Sequence, residues 1–205
     1  VRLERFLARL SHPPARNVEV STSGVYGDAA AALVDEQHEV NPHSHRSNRR
    51  DAAEQELLAW CSNSGTEPVI LRTPAIFGPD RLGLERIRSA APVIRDEDAH
   101  PGNRIHVNDL VRCCIAALEK TTPAGVYNVS DGDHRSSTAF AHTVADIAGL
   151  PRAPEVSRAE AERQFSPARL SFLNESRRLD NQKMRRHLLT ELTYPTLEAA
   201  IRSSL

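Results

Sequence analysis

Short strand-like segments alternate with helix-like segments along this chain of 205 residues, and that order constrains the fold more than any other feature. Residues 17–21 alternate apolar and polar side chains, residues 67–72 form a short buried-type strand, and residues 125–129 form a third. Strands that alternate with helices are typical of βαβ units, in which neighbouring strands run parallel. The order therefore predicts an α/β fold built on a parallel sheet.

Apolar side chains recur at helical spacing in the segments between these strands. Residues 3–10 carry them at i, i+3, i+4 and i+7, which is one face of a helix. The clearest period predicts a helix over residues 107–118, whose apolar face consists of Val107, Leu110, Val111, Cys114, Ile115 and Leu118. Other helices are predicted at residues 51–62, 82–91, 181–189 and 196–204, and after a cap at Ser136 or Ser137. Residues 28–48 are polar and are predicted to form a loop.

The charge balance and the cysteines exclude several classes of protein. The chain has 26 basic and 27 acidic residues, so it has no general affinity for nucleic acid. No apolar stretch is long enough to cross a membrane, and the first residues do not resemble a secretory signal. The 3 cysteines form no CxxC pair and argue against a disulfide framework. These features predict a cytoplasmic protein that acts on a small molecule, with no nucleic-acid or membrane partner.

Four motifs follow one another between residues 21 and 132: Ser21–Asp28 (STSGVYGD), Ile70–Pro79 (ILRTPAIFGP), Arg104–Leu110 (RIHVNDL) and Gly125–Gly132 (GVYNVSDG). In this order and spacing they resemble the extended and atypical short-chain dehydrogenase/reductases, the NAD-dependent epimerase/dehydratase family. The resemblance implies a Rossmann-like, doubly wound parallel sheet. Residues 1–130 would form the second half of its NAD(P)-binding domain. Residues 131–205 would form a small mixed C-terminal region on the substrate side.

The Gly-rich turn that holds the dinucleotide pyrophosphate in this family has no counterpart in the sequence, which contains neither GxxGxxG nor GxGxxG. We therefore expect a truncated chain that lacks the first βαβαβ half. NAD or NADP would be the cofactor of the intact parent, and the alternative that this chain binds neither stays open. Strands missing beside the sheet would leave an edge for a second copy or for a partner chain that supplies them.

The family's catalytic Tyr and Lys, spaced as YxxxK, fall on Arg46 and Arg50 when the sequence is anchored on Ala53-Glu54. Arginine does not act as an acid at neutral pH, and it does not reproduce lysine geometry. Thr22 matches the family's Ser or Thr that orients the substrate oxygen, although it could equally cap nearby backbone. The resemblance implies NAD(P)-linked oxidoreduction or epimerisation of a small hydroxylated, sugar-like substrate. The arginines suggest that this chain is inactive, and the alternative is a non-catalytic NAD(P)-binding sensor or scaffold.

The resemblance also implies cofactor contacts at Ser23, Pro74, Ala75 and Ile76 and a substrate anion contact at Arg104. The alternative for residues 73–76 is a strand end followed by a turn, and Arg104 could instead hold its loop through backbone carbonyls. Tyr26 is interpreted as a packing residue rather than a substitute acid.

Two other groups of side chains are weighed as sites and rejected. Three histidines, His38, His43 and His45, lie close to acidic residues in the polar stretch, but their spacing matches no zinc motif. A solvated loop is the preferred interpretation, and no metal site is predicted. Adjacent Cys113 and Cys114 point about 100° apart on a helix, so core packing of Cys114 is expected.

Overall fold

The computed structural model describes residues 2–205, with side chains from residue 3 onward. Its strands are β1 (Arg16–Thr22), β2 (Leu33–Val34), β3 (Glu67–Thr73), β4 (Ala75–Phe77), β5 (Val93–Ile94), β6 (Arg104–His106), β7 (Gly125–Asn128), β8 (Glu155–Val156) and β9 (Arg178–Leu179). Its helices are α1 (Arg2–Leu7), α2 (His45–Ser64), α3 (Leu84–Arg88), α4 (Val107–Leu118), α5 (Ser137–Ala148), α6 (Arg158–Gln164), α7 (Pro167–Leu173), α8 (Gln182–His187) and α9 (Leu197–Arg202). Two 3-10 turns cover Ser23–Tyr26 and Asp96–Asp98.

The central sheet consists of three parallel strands in the order β1-β3-β7. Val18 lies opposite Val69, and Val69 lies opposite Gly125 on the other side. The inner strand β3 is apolar and buried from Val69 to Leu71, as expected for a strand that helices cover on both faces. This sheet confirms the predicted α/β fold. Of three further pairs of short parallel strands, β2–β9 and β5–β8 join the C-terminal region to the rest, whereas both strands of β4–β6 precede residue 131.

Two apolar clusters contain residues from both sides of position 130. Val69, Leu71 and Tyr127 of the sheet pack with Met184 of α8 in the first cluster. In the second, Phe77 packs with residues of α5 and α9, among them Val144, Leu197 and Ile201. The proposed boundary after residue 130 stays a prediction, and these shared clusters fix the C-terminal region against the carboxyl ends of the strands.

Helix α2 begins at His45, six residues before the predicted start. Ser44 caps it, because its side-chain oxygen accepts a hydrogen bond from the Ser47 backbone N–H at 3.2 Å. The prediction of a loop was therefore wrong for residues 45–48. This first turn is polar, so apolar periodicity does not reveal that it is helical. Arg46 therefore lies on a helix rather than in a loop.

Helix α4 has the predicted bounds, but its buried face differs from the predicted one. Leu110, Cys113 and Ala117 are buried, whereas Val111, Ile115 and Leu118 are 51%, 58% and 60% exposed. In the part of the chain that the structure describes, β1 is also an edge strand that pairs only with β3. Association through this edge stays a prediction. No helix among residues 2–205 combines the length and the apolar character that crossing a membrane requires.

The cysteines give a first testable prediction. All three are free thiols, and burial raises the pKa of Cys113 to about 12, whereas Cys114 is only half-buried. Because the thiolate is the reactive form, we expect iodoacetamide at pH 7.5 to modify Cys114 at least about tenfold faster than Cys113. Peptide mass spectrometry measures both rates, and urea-unfolded chain serves as the control in which all three react. Equal native rates would contradict the described packing of α4.

Candidate functional site

The carboxyl ends of β1 and β3 lie side by side and open into a cleft of about 370 Å³. Thr22, Ser23 and Gly24 follow β1, and the segment from Pro74 to Phe77 follows β3. Ligands of open α/β sheets bind in a crevice outside the carboxyl ends of the strands. The cleft volume falls within the range of small-molecule sites.

The opposite wall comes from the C-terminal half of the chain: Asn103 and Arg104, then Phe140 of α5, Phe172 and Leu173 of α7, and Glu175 and Arg177 of the following loop. Of the residues predicted from the sequence, the structure brings seven together around this cleft, namely Thr22, Ser23, Arg46, Pro74, Ala75, Ile76 and Arg104. Arg50 is not among the lining residues.

Thr22 ends β1 and caps the turn that follows it. Its Oγ1 accepts a hydrogen bond from the Gly24 backbone N–H at 3.1 Å, which leaves the hydroxyl proton available to a ligand. Gly24 also allows a close approach to α2, because a Cβ there would lie 2.8 Å from Ser47 Oγ. The capping and the ligand-contact interpretations of Thr22 are therefore compatible.

Arg46 joins the first turn of α2 to α7 at the rim of the cleft. Its Nη1 donates to Ser171 Oγ at 3.0 Å, and its guanidinium carbon lies 3.4 Å from the centroid of the Phe172 ring. These contacts hold a cation at the rim of the cleft. Arg46 can bind an anion there but has no proton to give at neutral pH.

Arg50 lies one helical turn further and outside the cleft. Its side chain is exposed, and its Nη1 lies 3.7 Å from Glu19 Oε1 of β1. Exposed ion pairs of this kind contribute little to stability. The geometry gives Arg50 no contact with a ligand in the cleft.

Arg104 is 4% exposed, and most of its donors are occupied. Its Nη1 donates to Asp133 Oδ1 at 2.9 Å, and its Nη2 donates to the Arg135 carbonyl at 2.6 Å. Nearby Gly102 permits this close packing, since a Cβ there would lie 2.6 Å from the Arg135 carbonyl oxygen. These contacts support the interpretation that Arg104 holds its loop and forms one wall of the cleft.

A buried polar cluster, which the sequence did not reveal, lies beneath the strand ends. Arg72 Nη2 donates to Glu54 Oε2 at 2.7 Å, and Ser21 Oγ donates to the other carboxylate oxygen of Glu54. The Arg72 guanidinium carbon lies 4.7 Å from the centre of the Tyr26 ring, and Tyr26 OH donates to Asn128 Oδ1 at 2.8 Å. This cluster fixes the positions at which β1 and β3 end.

Tyr26 is buried within this cluster, as the packing interpretation expects. It is 1% exposed, and burial is the main cause that raises its pKa above the usual value. A phenol with a raised pKa and an engaged hydroxyl is a poor proton source at neutral pH. Two features of the sequence indicate this cluster. One is an acid, Glu54, on the buried face of α2, and the other is Arg72 within an apolar strand.

The charged side chains around the cleft are mostly cationic. Arg46, Arg81, Arg104 and Arg177 line it, and Glu175 is the one carboxylate in its lining. Glu175 Oε2 accepts a hydrogen bond from Arg177 Nη1 at 2.9 Å, so its charge is already paired. Arg104 is likewise paired with Asp133, so Arg46 and Arg81 are the lining cations that suit an anionic substrate. Sequence reasoning missed Arg81, Glu175 and Arg177, because they belong to none of the motifs.

One histidine of the polar stretch packs against a buried aromatic ring. His38 packs edge-on against Tyr26, with ring centroids 6.1 Å apart. Among the described residues, no group of three or more His, Cys, Asp or Glu side chains is arranged to hold a metal ion.

The sequence matches a known protein family and a known bacterial protein. The family model described as "NAD dependent epimerase/dehydratase family" matches residues 4–130. Protein YeeZ of Escherichia coli strain K12 is 28% identical over 142 residues, which are 69% of this chain and 49% of that protein. The chain therefore spans about half the length of the curated relatives it matches.

Solved structures match nearly the whole chain. A conserved protein of unknown function from Silicibacter pomeroyi DSS superposes with a TM-score of 0.82 at 27% identity, covering 98% of this chain and 68% of that one. The human epimerase family protein SDR39U1, solved with NADPH, gives a TM-score of 0.75 at 20% identity, with 99% and 71% coverage. These matches confirm the predicted Rossmann-like fold.

Proposed function

Because the chain belongs to the NAD-dependent epimerase/dehydratase family, we propose that it forms the substrate side and the nicotinamide-facing edge of an NAD(P)-dependent oxidoreductase or epimerase. The observation that carries this proposal is the cleft, where Thr22, Ser23, Pro74, Ala75 and Ile76 converge at the carboxyl ends of parallel strands. This is where ligands bind in doubly wound folds.

The residues around the cleft fit the nicotinamide end of the cofactor. The exposed Ala75 leaves room beside the backbone, and the Thr22 hydroxyl can donate to an oxygen in the cleft. When bound, the nicotinamide would accept or return a hydride. The pyrophosphate would need a Gly-rich turn that these 205 residues do not contain, so we expect weak binding of the whole dinucleotide.

The substrate in this proposal is a small, hydroxylated, sugar-like molecule with a negative charge. The arginines that line the cleft support a negative charge on the substrate. The one carboxylate in the lining does not oppose this, because it is already paired. The Thr22 hydroxyl would orient a substrate oxygen, and Phe140 with Phe172 would exclude water from one side. Three free thiols and near-neutral net charge support a cytoplasmic location and a small-molecule partner rather than nucleic acid.

A non-catalytic NAD(P)-binding sensor or scaffold is the second candidate function. It is favoured by one observation: the guanidinium of Arg46, the residue that the motif alignment predicts at the position of the family's acid, stacks on Phe172. The test is to mix the chain with NAD or NADP and a panel of sugar phosphates and sugar acids, following absorbance at 340 nm and binding by calorimetry. Turnover supports the oxidoreductase, binding without turnover supports the sensor, and binding of no cofactor contradicts both.

Filling the cleft gives a second testable prediction. Ala75→Trp places an indole in the open space between the two strand ends, and we expect it to weaken nicotinamide cofactor binding at least about tenfold. Stability is expected to change by less than about 0.5 kcal/mol, because Ala75 is exposed. Calorimetric titration with reduced nicotinamide mononucleotide measures the effect.

The matched control for this variant is Ala59→Trp, which adds the same side chain to an exposed position of α2 outside the cleft lining. This control is expected to bind as the parent chain does. Equal cofactor binding by Ala75→Trp and by the parent chain would show that the cofactor does not occupy this cleft.

A further inference from the structure

Helix α7 contributes to the wall of the cleft, yet it buries none of its own side chains. Phe172 is 64% exposed, and Leu170 and Leu173 are half-buried. Each of the other helices in the described part of the chain buries at least one side chain. A segment with few buried contacts opens at a lower free-energy cost than the elements around it. We therefore expect α7 to open before the other described helices.

The chain on either side of α7 is firmly held. Phe165, just before the helix, is 8% exposed and packs in an apolar cluster with Ile94. Ser176, shortly after the helix, is 4% exposed, and its backbone N–H donates to Asp28 Oδ1 at 2.9 Å. Residues 166–175 are therefore fixed at both ends and loosely packed between them.

Within residues 3–205, two side-chain hydrogen bonds tie the helix itself to other elements. On the side away from α2, Arg169 Nη2 donates to the Pro92 carbonyl at 2.6 Å. On the side of α2, Arg46 Nη1 donates to Ser171 Oγ at 3.0 Å, and the Arg46 guanidinium also stacks on Phe172. Arg46 is only half-buried, so water competes for both of its contacts. These two contacts hold the last turn of α7 to the rim of the cleft.

We propose that α7 is a lid on the cleft and that Arg46 is the latch that holds the lid in place. When the latch breaks, residues 166–175 move away between their fixed ends, and the cleft becomes wider. Phe172 and Leu173 also line a neighbouring cavity of about 340 Å³, so the same movement joins the two spaces. The inference rests on the proposed function in taking the cleft as the ligand site, but its test needs no ligand.

Amide hydrogen exchange of the 205-residue chain tests whether α7 opens while the rest stays folded. The reporters are the N–H groups of Leu170 and Asn174, which donate to the Ser166 and Leu170 carbonyls at 3.0 and 2.9 Å. The comparison helix is α9, which is similarly short but buries Leu197 and Ile201. After correction for intrinsic rates, we expect the α7 amides to exchange at least about tenfold faster than those of α9. Equal protection of the two helices would overturn the proposal.

Variants test the latch. Arg46→Ala removes both contacts with α7, and we expect it to speed exchange in α7 at least about fivefold. Arg50→Ala is the matched control, because Arg50 lies one turn further along α2 and faces Glu19 instead. We expect the control to change exchange less than about twofold. Phe172→Ala removes the stacked ring at an exposed position and covers a folding defect in Arg46→Ala. Unchanged exchange in both latch variants, or an equal gain in the control, would contradict the latch.

A thiol in the cleft shows whether movement of α7 opens it. Ile76→Cys places this thiol at a half-buried position of β4 in the cleft lining. Peptide mass spectrometry gives the ratio of its labelling by bulky fluorescein maleimide to its labelling by small iodoacetamide. We expect Arg46→Ala to raise this ratio at least about threefold and Arg50→Ala to leave it unchanged.

The labelling ratio also separates a lid from a helix that frays. A constant ratio, in a variant whose α7 exchanges faster, would show that α7 moves without opening the cleft, and the proposal would be wrong. Neither readout depends on NAD(P). A chain that binds no cofactor would therefore contradict the oxidoreductase proposal and leave the lid standing.

Discussion

Replacing Glu54 by alanine is expected to lower the free energy of unfolding by about 3–5 kcal/mol, the largest effect of any single change considered for this chain. Glu54 is 1% exposed and pairs with Arg72, whose side chain is 6% exposed. Removing the carboxylate leaves a buried guanidinium without its partner and takes the acceptor from Ser21 Oγ. The unpaired charge, rather than the lost attraction alone, causes most of the effect.

Urea denaturation followed by circular dichroism measures the change. Glu85→Ala is the matched control, because it breaks an ion pair of exposed side chains, Arg88–Glu85, with 3.5 Å between the charged atoms. The control is expected to change stability by less than about 0.5 kcal/mol. A loss below about 1 kcal/mol for Glu54→Ala would show that the pair is solvated and does not fix the strand ends.

Replacing Asp131 by asparagine is expected to stabilise the chain at pH 8 and to leave it unchanged at pH 4. Burial is the main cause that raises the pKa of Asp131 from 3.8 to about 7, although Arg104 opposes it. Between pH 4 and pH 7 the folded chain holds a proton on Asp131 that the unfolded chain has released, so stability falls as pH rises through this interval. The loss amounts to roughly 2–4 kcal/mol, and asparagine avoids it because it carries no charge.

Urea titrations of the two proteins at pH 4, 6 and 8 measure this difference. Asp146→Asn is the control, because the hydrogen bond to Arg152 lowers the pKa of the exposed Asp146, so this carboxylate is ionised in the folded chain between pH 6 and pH 8. The difference between Asp131→Asn and the parent should grow with pH, while the control difference stays constant. A constant difference for both variants would mean that Asp131 is ionised in the folded chain throughout.

The sheet and the location of the cleft could be predicted because both depend on local sequence. Short apolar runs predicted the strands near residues 17–21, 67–72 and 125–129, and the observed strands β1, β3 and β7 lie there. Thr22 and Pro74 were assigned to a site because their segments resemble motifs of the family, and the carboxyl ends of parallel strands share one edge. The order of the motifs then predicted that the segments of Thr22 and Pro74 form one site.

The rest of the cleft depends on contacts between distant residues, which a single sequence does not contain. Arg177 and Glu175 reach the cleft through the pairing of the short strands β2 and β9, and strands of two residues give no periodic signal. The exclusion of Arg50 from the cleft follows from the capping of α2 at Ser44 and from a contact with Glu19. The apolar face of α4 was predicted, but its partial exposure could not be, because periodicity reports an apolar face and not what covers it.

The most direct test of the proposed site is a ¹H–¹⁵N chemical-shift map of the chain titrated with reduced nicotinamide mononucleotide. This probe carries the nicotinamide, its ribose and one phosphate but lacks the adenosine half, so its binding depends less on the Gly-rich motif than that of the whole dinucleotide. We expect the largest shifts at Thr22, Ser23, Gly24, Ala75 and Ile76, where the two strand ends open. Shifts confined to other surfaces, or none at millimolar probe, would contradict the assignment of this cleft to a nicotinamide cofactor.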